Sequence, residues 1–138
     1  MNAQQRILAT LAGAVVSFIM GFLMYAVIFE SFFTNNGGSA ANVMKTDDMV
    51  WWALILGNVF MAYLLVYIFG KWANINTFSG GLMAGGMIGL IMGFGYDLVG
   101  YATANVMNLT AALVDPFVYG IMMAATGSVV GWMLGRGK

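Results

Sequence analysis

The sequence predicts an all-α, polytopic membrane protein whose four transmembrane helices form a single domain over residues 1–138. Two observations support this class. Hydrophobic residues make up 62% of the chain and charged residues only 7%, whereas an ordinary soluble domain has about a quarter of its residues charged. The charged residues also leave four apolar segments, each near the length of about 20 residues that crosses a bilayer as a helix.

Hydropathy places the four spans at about residues 7–33, 49–70, 80–104 and 116–134. The first span would reach roughly 40 Å at about 1.5 Å per residue, so we expect it to tilt or to protrude from the hydrocarbon layer. Its apolar run is longer than the core of a signal peptide, so we treat it as a retained span.

Basic residues predict the orientation of the spans. Arg6, Lys71, Arg136 and Lys138 fall at one end of the predicted bundle, whereas Lys45 alone falls at the other. By the positive-inside rule we expect both termini in the cytoplasm and a multi-pass location in the cell membrane. The polar, glycine-rich stretch at residues 34–46 is predicted to be a mobile outer loop.

Two aspartates precede predicted spans and are interpreted as helix caps. Asp47 comes shortly before the second span, and Asp115 is followed by Pro116 at the start of the fourth. An acceptor side chain followed by proline suits the first turn of a helix, because the first amides lack partners there. On this interpretation Asp115 has no catalytic or transport role.

Small residues at four-residue spacing form two ridges, and a shift of 72 residues superposes one on the other. The ridge on the third span continues in register to Asp97. The ridges comprise Ala9, Gly13, Ser17 and Gly21 on the first span, and Gly81, Gly85, Gly89 and Gly93 on the third. The match predicts two helical hairpins in parallel orientation, with chance similarity of glycine-rich segments as the alternative.

Such ridges allow helices to approach closely, so we assign these eight residues to helix packing. If the repeat is real, the first and third spans should cross through their ridges at the centre, with the second and fourth spans outside. The ridges could instead lie between molecules. We therefore expect a homo-oligomer or partner membrane subunits, in addition to the lipid bilayer.

Asp97 is the candidate functional residue, because an ionisable group inside a membrane span is expensive and should face protein or a water-filled cavity. Tyr25 is its counterpart in the repeat, and Asn58 has a similar predicted depth. These three residues form a candidate polar cluster for a proton or a cation. The alternative is a buried carboxyl group that only holds helices together.

The composition argues against most enzyme chemistry. The chain has no cysteine and no histidine, which excludes thiolate metal sites, histidine-ligated zinc or haem, and Ser-His-Asp triads. Its thirteen methionines are expected to be apolar filler and not copper ligands. We therefore expect no catalytic residues, no metal, no cofactor and no nucleic-acid partner.

One resemblance supports the same class of protein. The run from Gly21 to Tyr25, the Trp51-Trp52 pair and the glycine-rich third span resemble small four-helix bacterial inner-membrane proteins of unknown function. The resemblance covers nearly the whole chain and is compositional. It implies a bacterial inner membrane and no mechanism.

Two functions of different classes follow from the sequence. The first is a non-enzymatic structural or accessory subunit that assembles through its glycine-rich helix faces. The second is a small proton- or cation-coupled transporter or channel that uses Asp97.

Overall fold

The computed structural model of the chain describes residues 2–45 and 47–136, and it is all-helical. Four helices are long and apolar enough to cross a membrane, which confirms the predicted fold class. The spans are Ala3–Ile28, Trp51–Ala73, Phe78–Thr103 and Leu109–Gly135. We call the end of the bundle that holds the first and last described residues the termini end, and the opposite end the loop end. Lys138 lies outside the described residues.

Two of the spans change their helical winding near one end. The first span is α-helical over Ala3–Gly21 and π-helical over Phe22–Ile28, and the second is α-helical over Trp51–Tyr67 and π-helical over Ile68–Ala73. π-Helical segments are rare and often mark functional sites. The π-helical segment Phe22–Ile28 therefore makes the loop end of the first span a candidate location for a functional site.

The fourth span is the central helix of the bundle. It packs along the third span and against the first, and the first span also packs against the second. The expected crossing between the first and third spans is therefore wrong. A connection of only five residues, 104–108, keeps the third and fourth spans adjacent and antiparallel, and both carry small residues that fit together.

The third and fourth spans meet along a glycine seam, which we define as the ridge from Gly81 to Gly93 together with the small residues facing it. A Cβ added at Gly81 would overlap the backbone carbonyl of Gly127, and one added at Gly93 would lie 2.8 Å from the Cα of Pro116. All four ridge glycines are buried. Inside a bilayer, the hydrophobic effect does not favour contact between two helices over contact between a helix and lipid. The close packing of the two backbones is therefore what holds the third and fourth spans together.

The small-residue ridge of the first span is also used within the chain. Ala9, Gly13 and Ser17 are buried, and a Cβ added at Gly13 would lie 2.7 Å from Val130 and 3.1 Å from Ala62. Gly21 is half-buried and faces Met122. The first span therefore packs its ridge against the second and fourth spans.

Neither aspartate interpreted as a cap has that role. The second span begins at Trp51 after Val50, with no side-chain cap, and Asp47 lies three residues before Val50. The fourth span begins at Leu109, where Asn108 Oδ1 accepts a hydrogen bond of 2.9 Å from the amide of Ala111. Asparagine is as good an N-cap as aspartate, so the helix can begin at Asn108. Asp115 and Pro116 therefore lie inside it.

The loop that we expected to be mobile is partly docked. The Asn108 amide donates to the Asn36 carbonyl at 3.1 Å, and the Ala40 amide donates to the Asn105 carbonyl at 2.9 Å. Asn108 Nδ2 also donates to Asn36 Oδ1 at 3.0 Å. We call residues 29–40 the strap, because this segment, which includes the short helix Glu30–Asn35, joins the two connections at the loop end.

The termini end is joined by one side chain. Gln5 Nε2 donates to the carbonyl oxygens of Leu134 at 2.8 Å and Arg136 at 2.7 Å. The last carbonyls of a helix have no partner within it, so the first span caps the fourth.

The internal repeat stays a prediction, because the central place of the fourth span is not matched by the second.

Candidate functional site

Two acidic residues lie within the four spans, and each is on a different helix. Asp97 is six residues before the last residue of the third span, and Asp115 is six residues after the first residue of the fourth. At about 1.5 Å per residue, both lie about 9 Å from the loop end. The antiparallel hairpin therefore places two carboxyl groups at one depth.

These two side chains form the centre of the candidate site. The carboxyl groups of Asp97 and Asp115 lie within hydrogen-bonding range of each other. The glycine seam ends at Gly93, one turn before Asp97, and Pro116 packs on Gly93 directly beside Asp115. Close approach of the two backbones thus brings the two acids together. We call Asp97 and Asp115 the carboxyl pair.

Tyr25 of the first span completes the site. Its hydroxyl donates to Asp115 Oδ1 at 2.6 Å, and it lies in the π-helical segment Phe22–Ile28. The ring of Phe33, on the strap, is 5.4 Å from the Tyr25 ring. Three spans and the strap therefore meet at the carboxyl pair.

Asp97 is the most enclosed member of the site. Its side chain is buried, with a relative exposure of 8%, and Oδ2 has no hydrogen-bond partner among the described residues. A buried polar atom without a partner costs about 1–3 kcal/mol, and more if it is charged. Asp115 and Tyr25 are half-buried. The site therefore retains an unsatisfied oxygen that a ligand could stabilise.

Tyr119 borders the site on the side of the second span. It follows Asp115 by one helical turn, is half-buried, and its hydroxyl points at the sulfur of Met61 at 3.8 Å. Tyr96, next to Asp97 in sequence, is exposed on the outside of the third span. Besides the carboxyl pair, the ionisable side chains near the site are therefore tyrosines.

The structure places two members of the predicted cluster, Tyr25 and Asn58, in different parts of the bundle. Tyr25 reaches the site through Asp115, whereas Asn58 accepts a hydrogen bond of 2.6 Å from the hydroxyl of Ser17 and donates to the Leu54 carbonyl at 2.9 Å. Ser17 lies two helical turns from Tyr25 along the first span, toward the termini end. Asn58 therefore joins the first two spans and does not belong to the carboxyl pair.

Asp115 is the residue that the cap interpretation misassigned. Two signals in the sequence pointed to it: Asn108 is a strong cap in its own right, and Asp97 and Asp115 lie at nearly equal distances from the connection 104–108. A hairpin centred on that connection places the two acids side by side.

The remaining acids of the loop end are separate from the site. Glu30 is exposed on the strap, where it accepts a hydrogen bond of 3.5 Å from Thr34, and Asp47 and Asp48 are exposed. Within residues 2–45 and 47–136, no three residues among histidine, cysteine, aspartate and glutamate come together to hold a metal.

The arrangement can bind a positive charge between two helices. Two carboxyl groups supply up to four acceptor oxygens, the tyrosine hydroxyl orients one of them, and the apolar surroundings strengthen any electrostatic interaction.

Comparison of the chain with protein-family models, curated proteins and solved structures gives no match.

Proposed function

We propose that this protein is a non-enzymatic, multi-pass membrane protein whose carboxyl pair binds and releases a proton or a small cation during coupled transport. One observation carries the proposal: the fold brings together Asp97 and Asp115, the two acidic residues that lie within the described spans. Ionisable residues within spans are rare, and they commonly mark ion and proton pathways.

The energetics favour an ion-binding role for Asp97 and Asp115 over a purely structural contact between the two helices. Joining helices needs no charge here, because the glycine seam already packs the third span on the fourth. Two acids in contact repel each other when both are ionised, and the described spans hold no basic residue near them: Arg6 is at the termini end, and so is Lys71. A purely structural role would be better served by apolar residues.

The proposal includes an orientation in the membrane. Arg6, Lys71 and Arg136 lie at the termini end, so the positive-inside rule puts that end in the cytoplasm, of a bacterial inner membrane on the weak resemblance. The carboxyl pair then lies in the outer half of the bilayer, about 9 Å from the external ends of its helices. A proton-coupled process would load the site from outside.

Asp97→Asn tests the proposal in proteoliposomes. Asparagine preserves the shape of the side chain and cannot ionise, so we expect pH-gradient-driven flux to fall at least tenfold. Flux is followed with an internal pH dye, and separately with sodium and potassium gradients. Glu30→Gln is the matched control, because Glu30 is an acid at the same end but exposed and outside the spans. Flux that survives Asp97→Asn and equals that of Glu30→Gln would overturn the proposal.

A structural or accessory subunit is the second candidate. It is favoured by the part of the bundle between the site and the termini end, where the hydroxyls of Thr10, Thr126 and Ser128 all bond to carbonyls of their own helices. The described residues thus offer no continuous polar path through that half. The glycine-rich faces are occupied within the chain, so a homo-oligomer or a partner subunit would have to use the lipid-facing surfaces.

Mass determination of the protein purified from native membranes separates the two candidates. A stable complex with unchanged composition in Asp97→Asn, together with no flux in the wild type, would favour the accessory role.

A further inference from the structure

We infer that the ligand of the carboxyl pair is a single proton, held on Asp97 beside a charged Asp115, and that it exchanges with the loop end of the bundle. The inference deepens the proposed function and rests on it for its biological role. Four observations support it: the charges of the groups around the pair, the number of oxygen atoms available to a ligand, the hydrogen bond from Tyr25 to Asp115, and the path from the loop end to the pair.

The charges require one positive partner. The ionisable side chains nearest the pair are Tyr25 from the first span and Tyr119, one turn after Asp115 on the same helix, and neither is basic, whereas Tyr96 points to the outside of the third span. Two ionised carboxylates in contact are strongly disfavoured, and a pair of this kind shares one proton. One proton leaves one net negative charge on the site.

The number of oxygens favours a proton over a divalent metal ion. Besides the two carboxyl groups, the Tyr25 hydroxyl is the one oxygen that bonds to the pair within residues 2–45 and 47–136, and it acts as a donor to Asp115. Calcium needs six to eight oxygen ligands, and magnesium demands near-ideal octahedral geometry. A proton needs one oxygen to hold it and one to accept its hydrogen bond, and the pair supplies both.

The hydrogen bonds assign the proton to Asp97. Tyr25 donates its hydroxyl proton to Asp115 Oδ1 at 2.6 Å, and a donor of this kind favours the charged form of a carboxyl group. Asp97 Oδ2 has no donor at all among the described residues and is buried, so a charge there would be costly. Asp115 is therefore the stabilised carboxylate, and Asp97 is the acid.

The path to the pair leads from the loop end. Toward the termini end, the bundle is filled by a cluster of apolar side chains: Ala9, Leu65, Val66, Phe69, Met123, Val130 and Leu134. Toward the loop end, Tyr25 and Asp115 are half-buried, and the strap, through Phe33, is the cover over Tyr25. Uptake would form one O–H bond on Asp97 and convert one hydronium ion at the loop end to water.

Infrared spectroscopy of the full-length protein in lipid nanodiscs at neutral pH tests this inference. A carboxyl group in water is ionised at neutral pH, so a C=O stretch of a protonated carboxyl reports a buried acid. We expect one such band per chain, its loss in Asp97→Asn, and no change in Glu30→Gln. In Tyr25→Phe the band should remain but shift in frequency, because Asp115 loses its hydrogen-bond donor. If Tyr25 had only a structural role, the frequency of the band would not change.

Sodium, potassium and choline chloride at equal ionic strength form the second arm. The band should be the same in all three salts. Its absence from the wild type, its persistence in folded Asp97→Asn, or its removal by sodium or potassium would overturn the inference. A band that behaves as expected without any flux would refute the proposed transport alone, whereas Asp97-dependent flux without a band would refute the proton assignment alone.

Discussion

Gly81→Ala is expected to destabilise the protein by about 1–3 kcal/mol, the usual effect of overpacking a tight interface. The added Cβ would overlap the backbone carbonyl of Gly127, and a Cβ on Gly127 would likewise overlap the carbonyl of Gly81. Backbone atoms cannot move aside as a flexible side chain can, so the third and fourth spans must separate. The measurement is the folded fraction during denaturant titration in detergent micelles.

Gly95→Ala is the matched control on the same helix. No atom outside its own helix segment lies within 4 Å of a Cβ built at Gly95. Alanine is a better helix former than glycine, so this variant should be unchanged or more stable by up to about 1 kcal/mol. Equal stability of the two variants would show that the glycine seam does not hold these spans together.

Asp115→Asn is expected to abolish pH-driven flux as completely as Asp97→Asn does, by tenfold or more. The substitution is informative because asparagine caps a helix as well as aspartate does. If Asp115 were a cap, the variant would behave as the wild type. If Asp115 is the charged half of the carboxyl pair, the variant removes the charge that balances the bound proton.

The double variant Asp97→Asn, Asp115→Asn strengthens this experiment. Two residues that act as one unit give non-additive effects, so its flux should be no lower than that of either single variant. Asp47→Asn is the control, because Asp47 is an exposed aspartate in the loop before the second span. Wild-type pH dependence in Asp115→Asn would return that residue to a structural role.

The sequence was sufficient for the fold class and for the existence of all four spans. Long apolar segments define spans strongly, because every backbone polar group must be satisfied within the helix in lipid. The start of the fourth span was wrong by seven residues, 116 instead of 109. Proline is favoured in the first turn of a helix, but Pro116 lies inside this one, where it packs on Gly93.

The packing partners of the ridges were harder to predict. Four-residue spacing identifies a close-approach face and says nothing about which helix covers it. The third span could pair with the first or the fourth on composition alone, and the connection 104–108 decided for the fourth. The 72-residue match directed attention to the wrong pair of helices.

The sequence pointed to Asp97 and Tyr25 and not to Asp115. The rarity of charge in membrane spans identified Asp97, and the repeat added Tyr25, which reaches the site through Asp115. The hydrogen bond between Ser17 and Asn58 was not predictable, because it depends on the rotation of the first two spans about their axes. Asp115 is hidden from sequence reasoning because aspartate before proline is a common helix start, whereas its contact with Asp97 depends on the geometry of the hairpin.

Cysteine cross-linking tests the central claim, the contact between Asp97 and Asp115, most directly, because the natural chain has no cysteine. Asp97→Cys combined with Asp115→Cys should form a disulfide under mild oxidation in membranes and resist maleimide labelling until it is reduced. Asp97→Cys combined with Asn58→Cys, the pairing favoured by the sequence alone, should stay labelled. Labelling of the first pair and protection of the second would contradict the carboxyl pair.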